Sequence, residues 1–320
     1  EVEEGSTLDI GPGVRILFTD KYNVEVFGQI TAIGAESDSI YFTSSQPNPA
    51  PGDWGVIELY SGNNTFEYVT YEYANNGFEG EEGVDGSGSV FKNCTIREIP
   101  VFPEEGDHRW HCHAIEFDEC DNCIFDNNHI VSPLYHGIEI EGSAENVSIQ
   151  NNVIDIYGKA IDITSPANST ISNNIININQ PDTYAIEADY CDNCIIDGNT
   201  ISSSAGADYN GISTNYSYSA TISNNSITLS GGENGLLARY GTSYMISSNT
   251  ITGSTNKSID FYSSEGCIIQ GNILYPQEKY AIYNASSVSN ASSVYNADII
   301  NNTIDFLSGY TVYGIYVNHA

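Results

Sequence analysis

Ala160-Ile161-Asp162-Ile163, then Thr170-Ile171, then Asn173-Asn174-Ile175-Ile176 make one turn of a repeat that runs through most of this chain. The Asn-turn portion recurs at Asn127-Asn128-His129-Ile130, Asn151-Asn152-Val153-Ile154, Asn224-Asn225-Ser226-Ile227 and Asn301-Asn302-Thr303-Ile304. Variants stand at Asn93-Cys94-Thr95-Ile96, Gly198-Asn199-Thr200-Ile201, Ser248-Asn249-Thr250-Ile251 and Gly271-Asn272-Ile273-Leu274. The second residue of each turn advances by 34, 24, 22, 25, 26, 24, 23 and 30 positions. Self-similarity at such a period marks a stacked architecture.

A second column keeps phase with the first. Ala114-Ile115-Glu116-Phe117, Gly137-Ile138-Glu139-Ile140, Ala185-Ile186-Glu187-Ala188 and Gly211-Ile212-Ser213-Thr214 are followed by copies that end at Gly314-Ile315-Tyr316-Val317. Apolar and polar residues alternate within most tetrads, as in a strand with one buried face. Two or three short strands per turn, with no helical spacing, predict an all-β chain: a single right-handed parallel β-helix of about 22–26 residues per coil. Equivalent residues of successive coils then lie roughly 4.8 Å apart, Ile upon Ile and Asn upon Asn. The inward Asn is expected to bear the turn's unusual backbone angles and to bond its amide to the next Asn in the column. One domain spanning 1–320 follows, with irregular N-terminal coils over 1–100, an inserted loop over 101–113 and regular coils over 114–320.

Nine Lys and Arg against 42 Asp and Glu give a net charge of −33. That balance excludes nucleic acid as a partner, which needs a basic stripe, and favours cations. No stretch approaches the roughly 20 apolar residues of a membrane span. Export is expected, with N-glycosylation candidates at Asn63, Asn146, Asn168, Asn215, Asn256, Asn284 and Asn290. Asn93, Asn224 and Asn301 also head acceptor triplets but are assigned to the inward column.

Seven cysteines need an account in an exported chain. Cys120-Asp121-Asn122-Cys123 and Cys191-Asp192-Asn193-Cys194 occupy the same place three coils apart, too far to pair with each other. Each pair either closes on itself or shares a metal with histidine. Cys267 sits in the same column with Ser264 where a partner would be, so it is either a buried filler or a link to another subunit. Cys94 reads as a buried small residue, and Cys112 lies in the insertion.

Chemistry concentrates between residues 107 and 162. Five of the six histidines fall between 108 and 136, three of them in the insertion with Trp110. Glu116 and Asp118, Glu139 and Glu141, then Asp162 occupy successive strands and by alternation face outward. His113, His136 and Lys159 form the neighbouring column. Glu116, Asp118, Glu139, Glu141, Lys159 and His113 are the candidate catalytic set, because two carboxylates one coil apart suit glycoside hydrolysis. Glu116, Glu139, Asp162, His111 and His113 are the candidate metal ligands. No cofactor is required by any motif, and Ca²⁺ or another divalent cation is the candidate ion.

The coil pattern over the whole chain resembles the right-handed parallel β-helix superfamily of pectate lyases, polygalacturonases and mannuronan epimerases. Gly11-Pro12-Gly13-Val14 and Pro51-Gly52-Asp53-Trp54-Gly55 resemble the opening coils of its secreted members. The epimerase Asp-Pro-His-Asp motif and the paired-Asp motifs of polygalacturonases are absent, and a fold does not specify a chemistry. In composition the chain is similar to cell-surface β-helix proteins of methanogenic archaea, including those that build tubular sheaths. Strand pattern reaching both ends of the sequence, with no covering helix, adds the expectation of head-to-tail stacking with copies of itself. The leading functional expectation is therefore an exported sheath or surface-layer protein. A polysaccharide lyase, hydrolase or epimerase working near residues 107–162 is the alternative, and a glycan-binding adhesion module is another.

Overall fold

Why short apolar–polar tetrads close into coils is visible in the computed structural model. It describes residues 1–80, 83–100, 113–131, 135–142, 144–179, 183–203, 209–277, 279–286, 297–306 and 313–319. His108, Trp110, His111, Cys112 and Asn290 lie outside the described residues. The chain divides into two compact units, residues 1–163 and 164–320. Each is a parallel β-solenoid of three sheets, and neither contains a helix among the described residues.

In the first unit the three sheets begin with strands Thr7–Ile10, Arg15–Phe18 and Val24–Val26, and every later coil adds one parallel strand to each. Successive coils fill the interior in single-file columns. Phe66, Phe91, Phe125 and Ile149 stand in register, and the Phe66–Phe91 and Phe91–Phe125 rings stack at 5.0 and 5.7 Å. The first coils are held by further aromatic contacts. Phe18 stacks on Trp54 at 3.9 Å, and the Trp54 indole donates to the Glu72 carbonyl at 2.9 Å.

The second unit repeats the plan with Ile171, Ile196, Ile222, Ile246 and Ile269 in one inward column, none more than 1% exposed. Each fully buried aliphatic side chain contributes roughly 1.5–3 kcal/mol. A one-residue slip of any strand would turn its column toward water, so these columns fix the register.

The Asn turn divides between two residues the jobs that the sequence reading assigns to one. The second Asn is the inward one. In the second unit Asn174 donates its side-chain amide to Asn199 Oδ1 at 2.9 Å, and the chain continues through Asn225, Asn249, Asn272 and Asn302 at 2.9–3.0 Å. Asn128 and Asn152 form the same bond at 3.0 Å in the first unit. The first Asn carries the backbone turn. Asn127, Asn151, Asn173, Asn224 and Asn301 have φ of 52–58° and are exposed, which corrects the assignment of Asn224 and Asn301 to the interior. Asn93, assigned there too, has the same left-handed φ and is only partly buried, Cys94 taking the inward place beside Asn128.

Left-handed backbone costs an L-residue roughly 1–2 kcal/mol, and Asn, Ser or Gly bears it most easily. Most left-handed turns here obey that preference, but the corner after the third sheet of the second unit does not. Tyr190, Tyr216 and Tyr240 adopt φ of 56–59° there, between Ser165 and Ser263 at the same kind of corner. Their rings stack at 5.0 and 4.9 Å, and each such pair contributes about 0.5–1.5 kcal/mol.

The Cys120–Cys123 and Cys191–Cys194 sulfurs are bonded, each pair closing on itself across a Cα separation of 5.7 and 5.6 Å. Cys267 and Cys94 are unbonded and 1% exposed. Of the two alternatives for Cys267, burial fits the filler rather than a link to another subunit. Among the acceptor asparagines, Asn63, Asn146 and Asn168 stand at left-handed corners and all three are exposed. Asn284 is buried, and the amides of Asn215 and Asn256 are bound to Asp189 and Glu233.

The Asn column predicts a sharp contrast. Asn199 accepts from both nitrogens of Asn174 and donates to the Ile171 carbonyl and Asn225. Asn199→Ala strands these buried groups and should lower stability by at least about 3 kcal/mol, whereas Asn173→Gly should change it by less than about 1 kcal/mol. Urea midpoints of the two variants test this, and equal losses would refute the division of labour.

Candidate functional site

The outward face of the third sheet in the first unit carries one carboxylate per coil. Glu25, Glu58, Glu79, Glu116, Glu139 and Asp162 are paired in unbroken register. His113, His136 and Lys159 form the adjoining register column, three residues before Glu116, Glu139 and Asp162 on the same strands. Stacked like charges destabilise parallel neighbours unless a proton or cation intervenes.

The imidazoles intervene. His113 Nδ1 and His136 Nδ1 both lie against Glu139 Oε2. The other ring nitrogens turn to the flanking carboxylates: His113 Nε2 stands 3.4 Å from Glu116 Oε2, and His136 Nε2 stands 3.8 Å from Asp162 Oδ2. Lys159 Nζ donates to Asp162 Oδ2 at 2.7 Å. The Tyr135 ring packs beside His136 at 4.6 Å. The carboxylates face away from the Ile core, as alternation requires, yet most of the cluster is buried. His113, His136 and Glu139 are 2, 4 and 5% exposed, and Asp162 is 9%.

Burial and proximity divide the two central carboxylates. Burial raises Glu116 to about 7, against the opposing pull of His113. Burial works in the same direction on Glu139, but hydrogen bonds from His113 and His136 outweigh it and hold that carboxyl at about 2. His113 is raised, because Glu139 and Glu116 together outweigh its burial.

Not every expected residue joins the cluster. Glu141 is exposed at the rim, close enough to form an acidic trio with Glu116 and Glu139. Asp118 accepts from the Gly83 backbone at 2.7 Å, away from the imidazoles. His111 lies outside the described residues. Glu25, Glu58 and Glu79 were missed as column members, although Val24-Glu25-Val26, Ile57-Glu58-Leu59 and Phe78-Glu79-Gly80 repeat the apolar–Glu pattern of Ile115-Glu116-Phe117. Coils without the Asn turn offer no phase by which to align them.

His113, His136 and Glu139 present one ligand atom each, all within 4.8 Å of one another. A family model described as periplasmic copper-binding protein (NosD) matches residues 74–233 and 120–318, and so includes this cluster. The chain belongs to the NosD family. No curated protein matches it. Among solved structures it is similar to the surface adhesin PfbA of Streptococcus pneumoniae, with 14% identity over 98% of this chain and 82% of that one and a TM-score of 0.49. The Agl-KA catalytic domain shares 14% identity over 98% of this chain and 62% of its own length, with a TM-score of 0.52. A mannuronic acid specific polysaccharide family 6 lyase from human gut microbiota shares 15% over 89% and 84%, with a TM-score of 0.43. At such identities the likeness extends to the fold alone, a parallel β-solenoid. This NosD-family chain has no helix long and apolar enough to cross a membrane among the described residues.

The split carboxylates predict opposite pH behaviour in chelator-treated protein. Glu139, depressed from 4.5 to about 2, supplies stability that is complete above pH 4.5 and disappears as pH falls toward 2. Glu116, raised from 4.5 to about 7, costs stability as it ionises, and that cost grows between those values and is complete above pH 7. Glu116→Gln should therefore stabilise the protein above pH 7 by up to about 3 kcal/mol and leave it unchanged below pH 4.5. Denaturation curves across that range decide, and a pH-independent difference between variant and wild type would refute it.

Proposed function

We propose that this protein is an exported β-helix protein that binds a divalent transition-metal ion, copper being the ion named in its family's description, at His113, His136 and Glu139. One observation carries the reading. Two buried imidazoles converge through Nδ1 on a single carboxylate oxygen, while their outer nitrogens face Glu116 and Asp162. Ligating imidazoles are ordinarily oriented by a carboxylate at the second ring nitrogen, and such partners are worth about 10–100-fold in affinity. Lys159 fixes Asp162 in that supporting role.

Two imidazole nitrogens and a carboxylate oxygen suit Cu²⁺, Zn²⁺ or Fe²⁺ and fit Ca²⁺ poorly, since Ca²⁺ prefers an all-oxygen shell. Bound there, the ion would supply Lewis acidity or, for copper, a redox centre. The chain's own groups contribute the rest. Glu139 gives the anionic ligand, and the closed imidazole stack limits water. Excess carboxylates along the column draw cations toward the site.

A second reading rests on the contrast between Glu116 at about 7 and Glu139 at about 2. A protonated carboxyl beside an ionised one is the acid and nucleophile arrangement of glycoside hydrolysis. Neither reading calls on stacking between copies of the chain, so assembly into a sheath forms no part of this proposal.

Metal titration of chelator-stripped protein tests the first reading. One Cu²⁺ per chain should bind, more tightly than Zn²⁺ and far more tightly than Ca²⁺, with protons released on binding. His136→Ala should abolish stoichiometric binding, and Lys159→Ala should weaken it by about 10–100-fold. Copper uptake indifferent to His136 would sink the assignment. Cleavage of a polysaccharide by metal-free protein, lost in Glu116→Gln, would establish the second reading in its place.

A further inference from the structure

Tyr190, Tyr216 and Tyr240 stand on consecutive coils of the second unit, 52, 43 and 46% exposed, with backbone φ of 56–59°. At most left-handed corners elsewhere the chain uses Asn, Ser or Gly, and at this kind of corner it uses Ser165 and Ser263 on either side of the tyrosines. Tyrosine is therefore not required to make the turn. A bulky side chain held in left-handed backbone is strained, and strain of this kind concentrates at binding surfaces. Ring stacking returns at most about what the backbone costs, so the stack gives no net reason to prefer Tyr over Ser.

The surroundings say what such a strip fits. Two residues beyond each tyrosine a second column runs alongside: Asp192, Tyr218 and Thr242, with buried Cys191, Ser217 and Gly241 in between. The Tyr218 amide donates to Asp192 Oδ1 at 3.0 Å, which holds the two columns in step. Apolar ring edges and phenol hydroxyls thus repeat at 4.9–5.0 Å beside a row of carboxylate and hydroxyl groups. That period is close to the rise per sugar of an extended pyranose chain. Arg239, next to Tyr240, is committed to Asp260 through Nε and Nη2 at 2.9 and 2.6 Å. With that cation engaged, and on a chain of net charge −33, the strip repels uronates and other acidic polymers.

We infer that the Tyr190–Tyr216–Tyr240 column, with Asp192, Tyr218 and Thr242 beside it, is a docking strip for an extended neutral glycan, laid along successive coils. The inference is independent of the metal reading, because every residue it uses lies in the second unit.

The test is calorimetric binding of cellohexaose and chitohexaose, with a polygalacturonate oligomer of equal length as the acidic probe. Wild type should bind at least one neutral hexamer and not the uronate. Tyr216→Asn places a residue suited to left-handed backbone at the central corner, so it should hold or raise the melting temperature while weakening glycan binding by about tenfold. Tyr190→Ser, which copies the neighbouring corner at Ser165, should act in the same direction and serves if the first variant does not fold. Absence of binding to both neutral hexamers, preference for the uronate, or undiminished binding by the folded variants would each overturn the inference. A large fall in melting temperature with unchanged binding would mark the column as purely structural and overturn it as well.

Discussion

Parallel hydrogen bonding between coils, at one strand spacing and in fixed register, is the constraint on which everything else in this protein rests. It turns each position of the repeat into a column, so that a choice made once in the sequence is multiplied along the sheet. An interior position must hold a side chain content to touch its own kind. Isoleucine does so by apolar contact, phenylalanine by ring stacking, and asparagine by an amide that donates forward and accepts from behind. The Asn column matters most, because it lies where the chain leaves one sheet for the next and exposes backbone groups that no strand can satisfy.

The same multiplication creates the candidate site. Six carboxylates in register are unfavourable unless something neutralises them, and the fold responds differently along the column. Glu25 is exposed and screened by water, whereas Glu139 and Asp162 are covered and must be compensated locally. His113, His136 and Lys159 supply that compensation from the next column. Burial then separates carboxylates of like chemistry, pushing Glu116 up while the imidazoles hold Glu139 down. A metal ion would neutralise the same charge with the same atoms, which is why a structurally necessary cluster and a metal centre look alike here.

The second unit meets the same repeat with other residues. Where the first unit has imidazoles and carboxylates, positions of the third sheet carry Asn210 and Asn234, then Lys257 and Asp260, then Tyr280 and Tyr283. Asp260 is fully buried and bonded by both Lys257 and Arg239, so its charge is neutralised within the protein. The exposed tyrosine corner is different in kind, since neither charge balance nor turn geometry calls for it.

By itself the sequence determined the architecture, because a buried column admits few residue types and their recurrence, mostly every 22 to 26 positions, is visible without coordinates. It also determined which polar residues share a column, since register follows from the repeat: His113 with His136, and Glu116 with Glu139. Three things were decided only by tertiary structure. Burial of the Glu139 carboxylate depends on what its neighbours cover, and alternation gives direction but not accessibility. Asn93, Asn224 and Asn301 face away from the core because the left-handed residue of a turn points opposite to the residue that follows it, a distinction composition does not carry. The Glu25–Glu58–Glu79 continuation stayed hidden because unequal loop lengths in the first coils erase the period, although strand pairing restores it. A repeat fixes which residues are stacked; the space left between the stacks decides which of them can act.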